Sequence, residues 1–412
     1  MQMKPSAYIF DQQAYDPEQI RERVRGIIEK DGLAVKGKSV FLKPSFVYPA
    51  RPPLNRGVNT QPEFVGGVAK ALQDLGASRV WVGEDCLVGP SQAAFVAMGV
   101  LPYLRGIAEP VYFQDEERVE VKVKDALIES SFSLPKKLMD ADLFISLPKI
   151  KVNMYATVTL SVKNHIGFLL AADRLTNHHY NIHKKIADLY RARVPDFVIA
   201  DAVKAGEGQG PMHAEPAPLG VVLAARNGMA ADVAACRLMG YDPNEVEHLK
   251  LLHEKGIGPL DLAEVEVDNP ALLEQRARRL IRPRTDFADY HHSMRFFIGT
   301  ELACPQGCVG MIRGTLDRWW QVRRWKPVKG LNFIVGKPIA EVPDNLKKGK
   351  TFVIGDCAEP YRDRGAFIPG CPIPPMALTY ALAAKLITGP LASRVRDLAW
   401  GSIAHAFNIP VR

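Results

Sequence analysis

The run SVFLKPSFV (Ser39–Val47), followed by TQPEFVGGVAKALQDLG (Thr60–Gly76) and RVWVGED (Arg79–Asp85), decides the fold. A compact apolar stretch ends in a lysine and enters a proline-rich loop that runs through Asn55. The next segment predicts a helix with Thr60 as its N-cap, Pro62 in its first turn and Gly76 just past its end. A second apolar stretch then ends in two acids, and another helix is expected near Ser91–Met98. Strand, helix, strand in this order implies a parallel sheet with right-handed crossovers. Three later stretches fit as further strands: DLFISLPKI (Asp142–Ile150), DFVIADAV (Asp196–Val203) and LGVVLAAR (Leu219–Arg226). Each meets polar or glycine residues at its carboxyl end, the edge where open parallel sheets bind ligands. The expectation is an α/β fold: a mostly parallel sheet with helices on both faces, plus a smaller C-terminal α/β unit that contains cysteines.

At 412 residues, with 47% apolar and 24% charged residues, the chain has the composition of a globular enzyme of two units. A polar, basic, proline-punctuated stretch ending in EQRARRLIRPR (Glu274–Arg284) predicts a boundary, with residues 1–284 in the first unit and 285–412 in the second. The net charge of +8 suits nucleic acid, an anionic lipid surface or a small acidic substrate and does not decide among them. Nucleic acid is not expected, because the basic stretch lacks interleaved aromatics and any binding signature. The amino terminus shows no secretory pattern and no run approaches about 18 apolar residues, so a cytoplasmic protein without a membrane span is expected. Six cysteines are too few for a disulfide scaffold.

Strand ends carry the candidate binding residues: Lys43, Glu84 with Asp85, Lys149 with Lys151, and Asp201. Lysines suit phosphate or carboxylate, and a desolvated lysine can act as base or nucleophile. The segment TVTLSVKNHIG supplies Lys163 and His165 as candidate catalytic residues, with Asn164 as a further ligand. On a helix these three would fan apart; at a helix start they could converge. His165 could be acid or base near neutral pH, or a core histidine. Further on, His179 and His183 share ligand-like i, i+4 spacing, although an exposed histidine-rich helix is the plainer reading. AGEGQGP (Ala205–Pro211) could wrap an anion in backbone amides but matches no nucleotide motif.

The order FLKPSFV, TQPEFVGGVAKALQDLGASRVWVGED, DADLFISLPKIK, TVTLSVKNHIG, IADAVKAGEGQGP, AADVAACRLMGYDP resembles the family catalogued as domain of unknown function 362, over roughly Val40 to Leu262. That resemblance implies the fold more than the chemistry. Many members carry a histidine after the Pro-Lys-x-Lys strand, where this chain has Val152, Asn153 and Met154. The substrate domain of nickel-pincer lactate racemase is similar more distantly. It also places a cofactor-bearing lysine in a small-residue segment after a strand, and the comparison puts Lys163 there.

Four of the six cysteines fall in the second unit: Cys304 and Cys308 in ACPQGC, Cys357 and Cys371 in GDCAEPYRDRGAFIPGCPIPP. A thiolate quartet binds an iron–sulfur cluster or zinc. Iron–sulfur, most simply 4Fe-4S, is favoured because Cys308 opens a helix and Cys371 precedes another, so helix amino termini and glycine amides can face cluster sulfurs. Zinc and unligated buried thiols are the alternatives. IPGCPIPPMALTYAL also resembles the Gly-Cys-Pro-Pro loop of the small iron–sulfur subunit of complex I. Trp319, Trp320 and Trp325 with Arg313, Arg318, Arg323 and Arg324 form a basic aromatic patch that could dock an acidic electron-donor protein or pack as an amphipathic helix. Together these features predict an iron–sulfur oxidoreductase or electron-transfer protein acting on an anionic small molecule. The alternative is a non-redox acid–base or covalent enzyme with a structural metal site.

Overall fold

The computed structural model describes residues 4–47, 49, 56–86, 90–290, 293–323, 330–374 and 377–386. The chain divides into two compact units, residues 1–170 with 183–283, and residues 171–182 with 284–412. The short segment 171–182 therefore clusters with the cysteine-bearing unit, although it is flanked in sequence by the first.

The strands of the first unit are β1 (Ser6–Asp11), β2 (Ser39–Pro44), β3 (Arg79–Glu84), β4 (Glu109–Tyr112), β5 (Arg118–Lys122), β6 (Ser131–Pro135), β7 (Leu143–Leu147), β8 (Lys149–Asn153), β9 (Thr157–Thr159), β10 (Phe197–Gln209), β11 (His213–Ala225) and β12 (Glu266–Val267). The main sheet runs β12-β1-β11-β10-β7-β2-β3-β4, with β8 and β9 branching from β10, while β5 and β6 form a separate hairpin. From β10 to β4 the strands are parallel, and β1, β11 and β10 are antiparallel neighbours. Val40, Phe41 and Leu42 on β2 and Leu143 to Leu147 on β7 are buried throughout, the unbroken apolar pattern of strands covered on both faces.

Local chemistry sets the elements. Asp16 caps the helix Pro17–Asp31 through Glu18 N and Gln19 N, and Gly32 ends it in the left-handed conformation. Its Ile20, Val24, Ile27 and Ile28 are buried at helical spacing. A Cβ on Gly67 would sit 2.7 Å from the carbonyl oxygen of Pro17, so glycine is what lets the helix Pro62–Asp74 lie against the first. Thr60 does not cap that helix. Gln61 holds the cap position, and Thr60 Oγ1 instead accepts from Ser45 N (3.0 Å) and donates to Leu147 O (2.8 Å). AGEGQGP is not an open loop either: it ends the long strand β10 and turns into β11.

The second unit contains an all-parallel sheet of β13 (Arg295–Ile298), β14 (Asn332–Val335), β15 (Thr351–Ile354) and β16 (Ala366–Ile368), in that order. Phe287, Phe296, Phe333 and Phe352 stack across it with centroids 4.0, 5.1 and 5.6 Å apart. Ile334, Leu346, Val353 and Ala358 form a core cluster there.

Candidate functional site

Parallel topology brings the predicted strand-end residues to one edge of the first sheet. Lys43 on β2 donates to Glu84 Oε2 on the neighbouring β3 (2.7 Å), to Pro44 O (2.9 Å) and to Asn164 Oδ1 (3.2 Å). Glu84 also accepts from Phe46 N (3.0 Å) and Asp85 N (2.9 Å). The Asn164 amide donates to Lys43 O and to Ser146 Oγ, both at 3.0 Å, pinning its helix onto β2 and β7. Gly167 closes over this group; a Cβ there would lie 2.2 Å from Glu84 Oε1 and 2.5 Å from Lys43 Nζ.

A second buried pair lies at Lys149 on β8 and Asp201 on β10, 2.9 Å apart. Lys149 also donates to Tyr15 Oη (2.7 Å), Tyr15 donates to Asp201 Oδ1 (2.9 Å), and Gln61 N donates to Asp201 Oδ2 (3.2 Å). Burial lowers the pKa of Lys149 against the pull of Asp201, and burial followed by the Asp201 charge raises that of Tyr15. Two of the predicted cations thus hold neighbouring strands together through carboxylates of opposite charge.

Lys151 is different. It is fully buried on the same face of β8, its amine donates to Val58 O, and among the described residues no carboxylate bonds to it. Burial first, then the charges of Lys163 and Lys149, push its pKa well below the ordinary lysine value. The shift favours the neutral amine over the ammonium. Gly206 on β10 fits against it, since a Cβ there would be 2.8 Å from Lys151 Cβ and 2.1 Å from Gly57 O.

The helix Ser161–Asn164 and the following turn His165–Phe168 spread Lys163, Asn164 and His165 in three directions. His165 is buried among the rings of Phe144, Phe168 and Tyr190, with Nε2 2.9 Å from Arg193 O and Nδ1 3.3 Å from Ser161 O. Both ring nitrogens face main-chain carbonyls, and burial lowers its pKa to about 4. This geometry is that of a packed core imidazole, and it gives His165 no nitrogen for a ligand. After burial, the charge of Lys163 further lowers the pKa of Lys151, His183 and His248.

Sequence reasoning missed three participants. Tyr15 lies 186 residues from Asp201, and nothing local announces it. Asp232 was legible as the single acid inside the apolar helix Gly228–Met239. Its buried carboxyl, raised to about 7 by desolvation, accepts from Ser161 N (2.7 Å) and Val162 N (2.9 Å) and so anchors the start of the helix that bears Lys163. His248 was not singled out, yet it is the partner of His183, where spacing had suggested His179.

In the second unit, a Cβ on Gly355 would be 2.9 Å from Cys308 Sγ and 3.7 Å from Cys357 Sγ, so these sulfurs flank one point. Cys304 Sγ lies 2.6 Å from the equivalent point on Gly307. Main-chain hydrogen bonds reach three of the sulfurs: Cys308 N–H to Cys304, Ile373 N–H to Cys308, and Gly336 N–H to Cys357. Burial raises the pKa of all four thiols. Cys371 and Cys357 add to the rise at Cys304, the other three cysteines to that at Cys308, and Asp356 followed by Cys357 to that at Cys371. Among the described residues, no three Cys, His, Asp or Glu side chains gather as tightly as one metal ion requires. Sulfurs on a single zinc stand about 3.8 Å apart, given a Zn–S bond of about 2.3 Å.

Arg313 does not belong to a docking patch. It is buried, bonded to Asp289 (2.6 and 2.8 Å) and Asp317 (3.0 Å), and stacked on Tyr290. The side chains of Arg318, Trp319, Trp320 and Arg323, and residues Arg324 and Trp325, lie outside the described residues. Among the described residues no helix is long and apolar enough to cross a membrane.

Residues 40–237 match the family described as Domain of unknown function (DUF362). The matched segment runs from β2 into the helix of Asp232 and contains every lysine discussed above. A thylakoid-associated protein of Synechocystis sp. is 27% identical over 267 residues, which span 62% of this chain and 81% of that protein. Two solved structures are similar at lower levels. The lactate racemase apoprotein of Thermoanaerobacterium thermosaccharolyticum has 12% identity and a TM-score of 0.34, covering 48% of this chain and 50% of that one. A Thermotoga maritima protein has 12% identity and a TM-score of 0.39, covering 82% and 74%.

Proposed function

We propose that this chain is an iron–sulfur oxidoreductase or electron-transfer protein. In this reading the second unit holds a cluster on Cys304, Cys308, Cys357 and Cys371, and the first binds a small anionic molecule at the carboxyl edge of its sheet. The observation that carries the cluster is the set of main-chain N–H groups bonded to three of the four thiol sulfurs. Thiolates on iron keep negative charge, and amide donors directed at sulfur are how a protein stabilises that charge and tunes its potential. The glycines at 307 and 355 leave space beside the sulfurs that a side chain would fill. A bound cluster supplies single-electron transfer.

The first unit contributes binding and proton chemistry. Lys163 supplies the positive charge for a carboxylate or phosphate, and Lys151 supplies a buried amine. The pairs Lys43–Glu84 and Lys149–Asp201 keep the strand ends fixed around them. A second reading, a non-redox acid–base or covalent enzyme with a structural metal site, is favoured by the depressed pKa of Lys151 alone, because such an amine suits a base or nucleophile. Iron and sulfide content of anaerobically purified variants separates the parts. Cys308→Ser and Cys357→Ser should lose most of the iron. Lys163→Ala should keep it and lose anion binding. Iron unaffected by both cysteine changes would exclude the quartet.

A further inference from the structure

The four cysteines assigned to the cluster are not equivalent. Cys308 is 5% exposed, Cys304 and Cys357 are half-buried, and Cys371 is exposed. Their main-chain surroundings differ in the same way. Cys308 N–H, Ile373 N–H and Gly336 N–H bond to the sulfurs of Cys304, Cys308 and Cys357 in turn. Among the described residues no N–H bonds to Cys371 Sγ, and the Asp356 carboxylate adds negative charge beside it. Cys304 and Cys308 belong to the turn Pro305–Val309 and its cap, and Cys357 to the turn Asp356–Arg364 that follows β15. Cys371 lies instead on the connection between β16 and the helix Ala377–Leu386.

The main chain at Cys371 is nevertheless fixed. Gly370 N donates to Asp356 Oδ1 (2.6 Å), and Asp356 N donates to Gly370 O (3.2 Å). Gly370 has φ +131°, and a Cβ there would lie 2.7 Å from Pro372 O, so only glycine makes this turn. A thiolate leaves iron readily only where its charge and the donors bonded to it find other partners. Withdrawing Cys304, Cys308 or Cys357 strands an amide N–H in surroundings partly or wholly closed to water. Withdrawing Cys371 strands no amide and delivers its sulfur to solvent, which supplies the proton it needs. The bonds between Gly370 and Asp356 do not involve that sulfur, so they hold the position open for a metal ion to return.

Resting on the cluster reading above, we propose that Cys371 holds the exchangeable iron of the quartet, a ferrous-ion site that opens on oxidation and refills on reduction. The oxidant is a one-electron acceptor of the ferricyanide class. It removes one electron, the bond from Cys371 to iron breaks, and one Fe²⁺ departs. Three ferric ions and four sulfides stay on Cys304, Cys308 and Cys357, and the Cys371 thiolate takes a proton from water. One electron from a reductant, together with Fe²⁺, reverses the step, and Cys371 gives up its proton as the bond re-forms.

The full chain, purified without oxygen, is treated with ferricyanide, and released iron, retained sulfide and the electron paramagnetic resonance signal are followed. About a quarter of the iron should leave with the sulfide retained, and a three-iron signal should appear without reductant. Dithionite with ⁵⁷Fe²⁺ should then restore the lost iron as ⁵⁷Fe. Cys371→Ala should purify with the three-iron signal and at least half of the parent's sulfide, and release no further iron to ferricyanide. Cys308→Ala should lose most of both. Iron and sulfide lost together from the parent, or no iron lost, overturns the proposal and leaves the cluster standing. A folded Cys371→Ala as empty as Cys308→Ala does the same. A parent holding zinc, or neither iron nor sulfide, removes the cluster reading itself and the proposal with it. Should Cys371→Ala fail to fold, iodoacetamide labelling of the oxidised parent, read by peptide mass spectrometry, decides. Of the four cysteines Cys371 alone should be alkylated; equal labelling of Cys304, Cys308 or Cys357 refutes the assignment.

Discussion

Glu84→Gln tests whether the buried pairs hold the sheet edge together. The substitution keeps the shape of the side chain and an oxygen for Phe46 N, but leaves the Lys43 ammonium, 1% exposed, beside the neutral oxygens of Pro44 and Asn164. At 2.7 Å and an effective dielectric of about 20, the lost attraction is about 6 kcal/mol. Desolvation of both charges offsets part of it, and breaking a buried pair from one side costs about 3–5 kcal/mol. Over a unit of this size, at about 2.1 cal/mol/K of unfolding entropy per residue, that corresponds to a fall in Tm of roughly 5–9 °C. Differential scanning calorimetry of the full chain measures it. Lys43→Met/Glu84→Gln should recover more than half of the loss, because no charge is left unpaired. A fall below about 2 °C for Glu84→Gln, or a double variant that melts as low as the single one, would refute the structural role assigned to the pair.

Gly206→Ala should destabilise by about 1–3 kcal/mol through overpacking, because its Cβ would meet Gly57 O at 2.1 Å; a chemical melt unchanged from the parent would contradict that contact. Folding should weaken as pH falls from about 6.5 to 4. His165 and His183 are near 4 when folded, and an unfolded histidine binds protons more readily, so the stability of the neutral rings is complete above about 6.5 and is lost through 4. Each contributes on the order of 3 kcal/mol. Asp232, raised to about 7, acts in the opposite sense and adds stability as pH falls. His165→Phe should therefore melt lower at pH 7, where it strands whichever carbonyl, of Arg193 or Ser161, the single N–H of the neutral ring serves, yet show a shallower acid slope; an equal slope would remove His165 from this linkage.

Much of the site was legible because strand-end lysines are conspicuous in apolar runs. Lys43, Glu84, Lys149, Lys151 and Asp201 were found by that sign, and parallel topology placed them on one edge. What spacing does not encode is pairing. Whether a lysine at such an edge meets a carboxylate depends on strand order, so Lys43 and Lys149 read the same as Lys151 in one dimension, while among the described residues Lys151 bonds a carbonyl and no acid. The KNH segment was ambiguous for a related reason: a single helical turn separates adjacent side chains by about 100°, and that sent His165 into the aromatic core. Glycine misled at Ala205–Pro211, where small residues permit close strand packing at Gly206 and Gly210 rather than a phosphate loop. His248 and Tyr15 act across 65 and 186 residues, beyond any local pattern.

The central claim is the cluster. Electron paramagnetic resonance of the anaerobically purified full chain, before and after dithionite, with iron and acid-labile sulfide measured on the same sample, tests it most directly. The account predicts iron and sulfide in comparable amounts and a signal that changes on reduction. Zinc alone, or a sample with neither iron nor sulfide and no reducible signal, would contradict it.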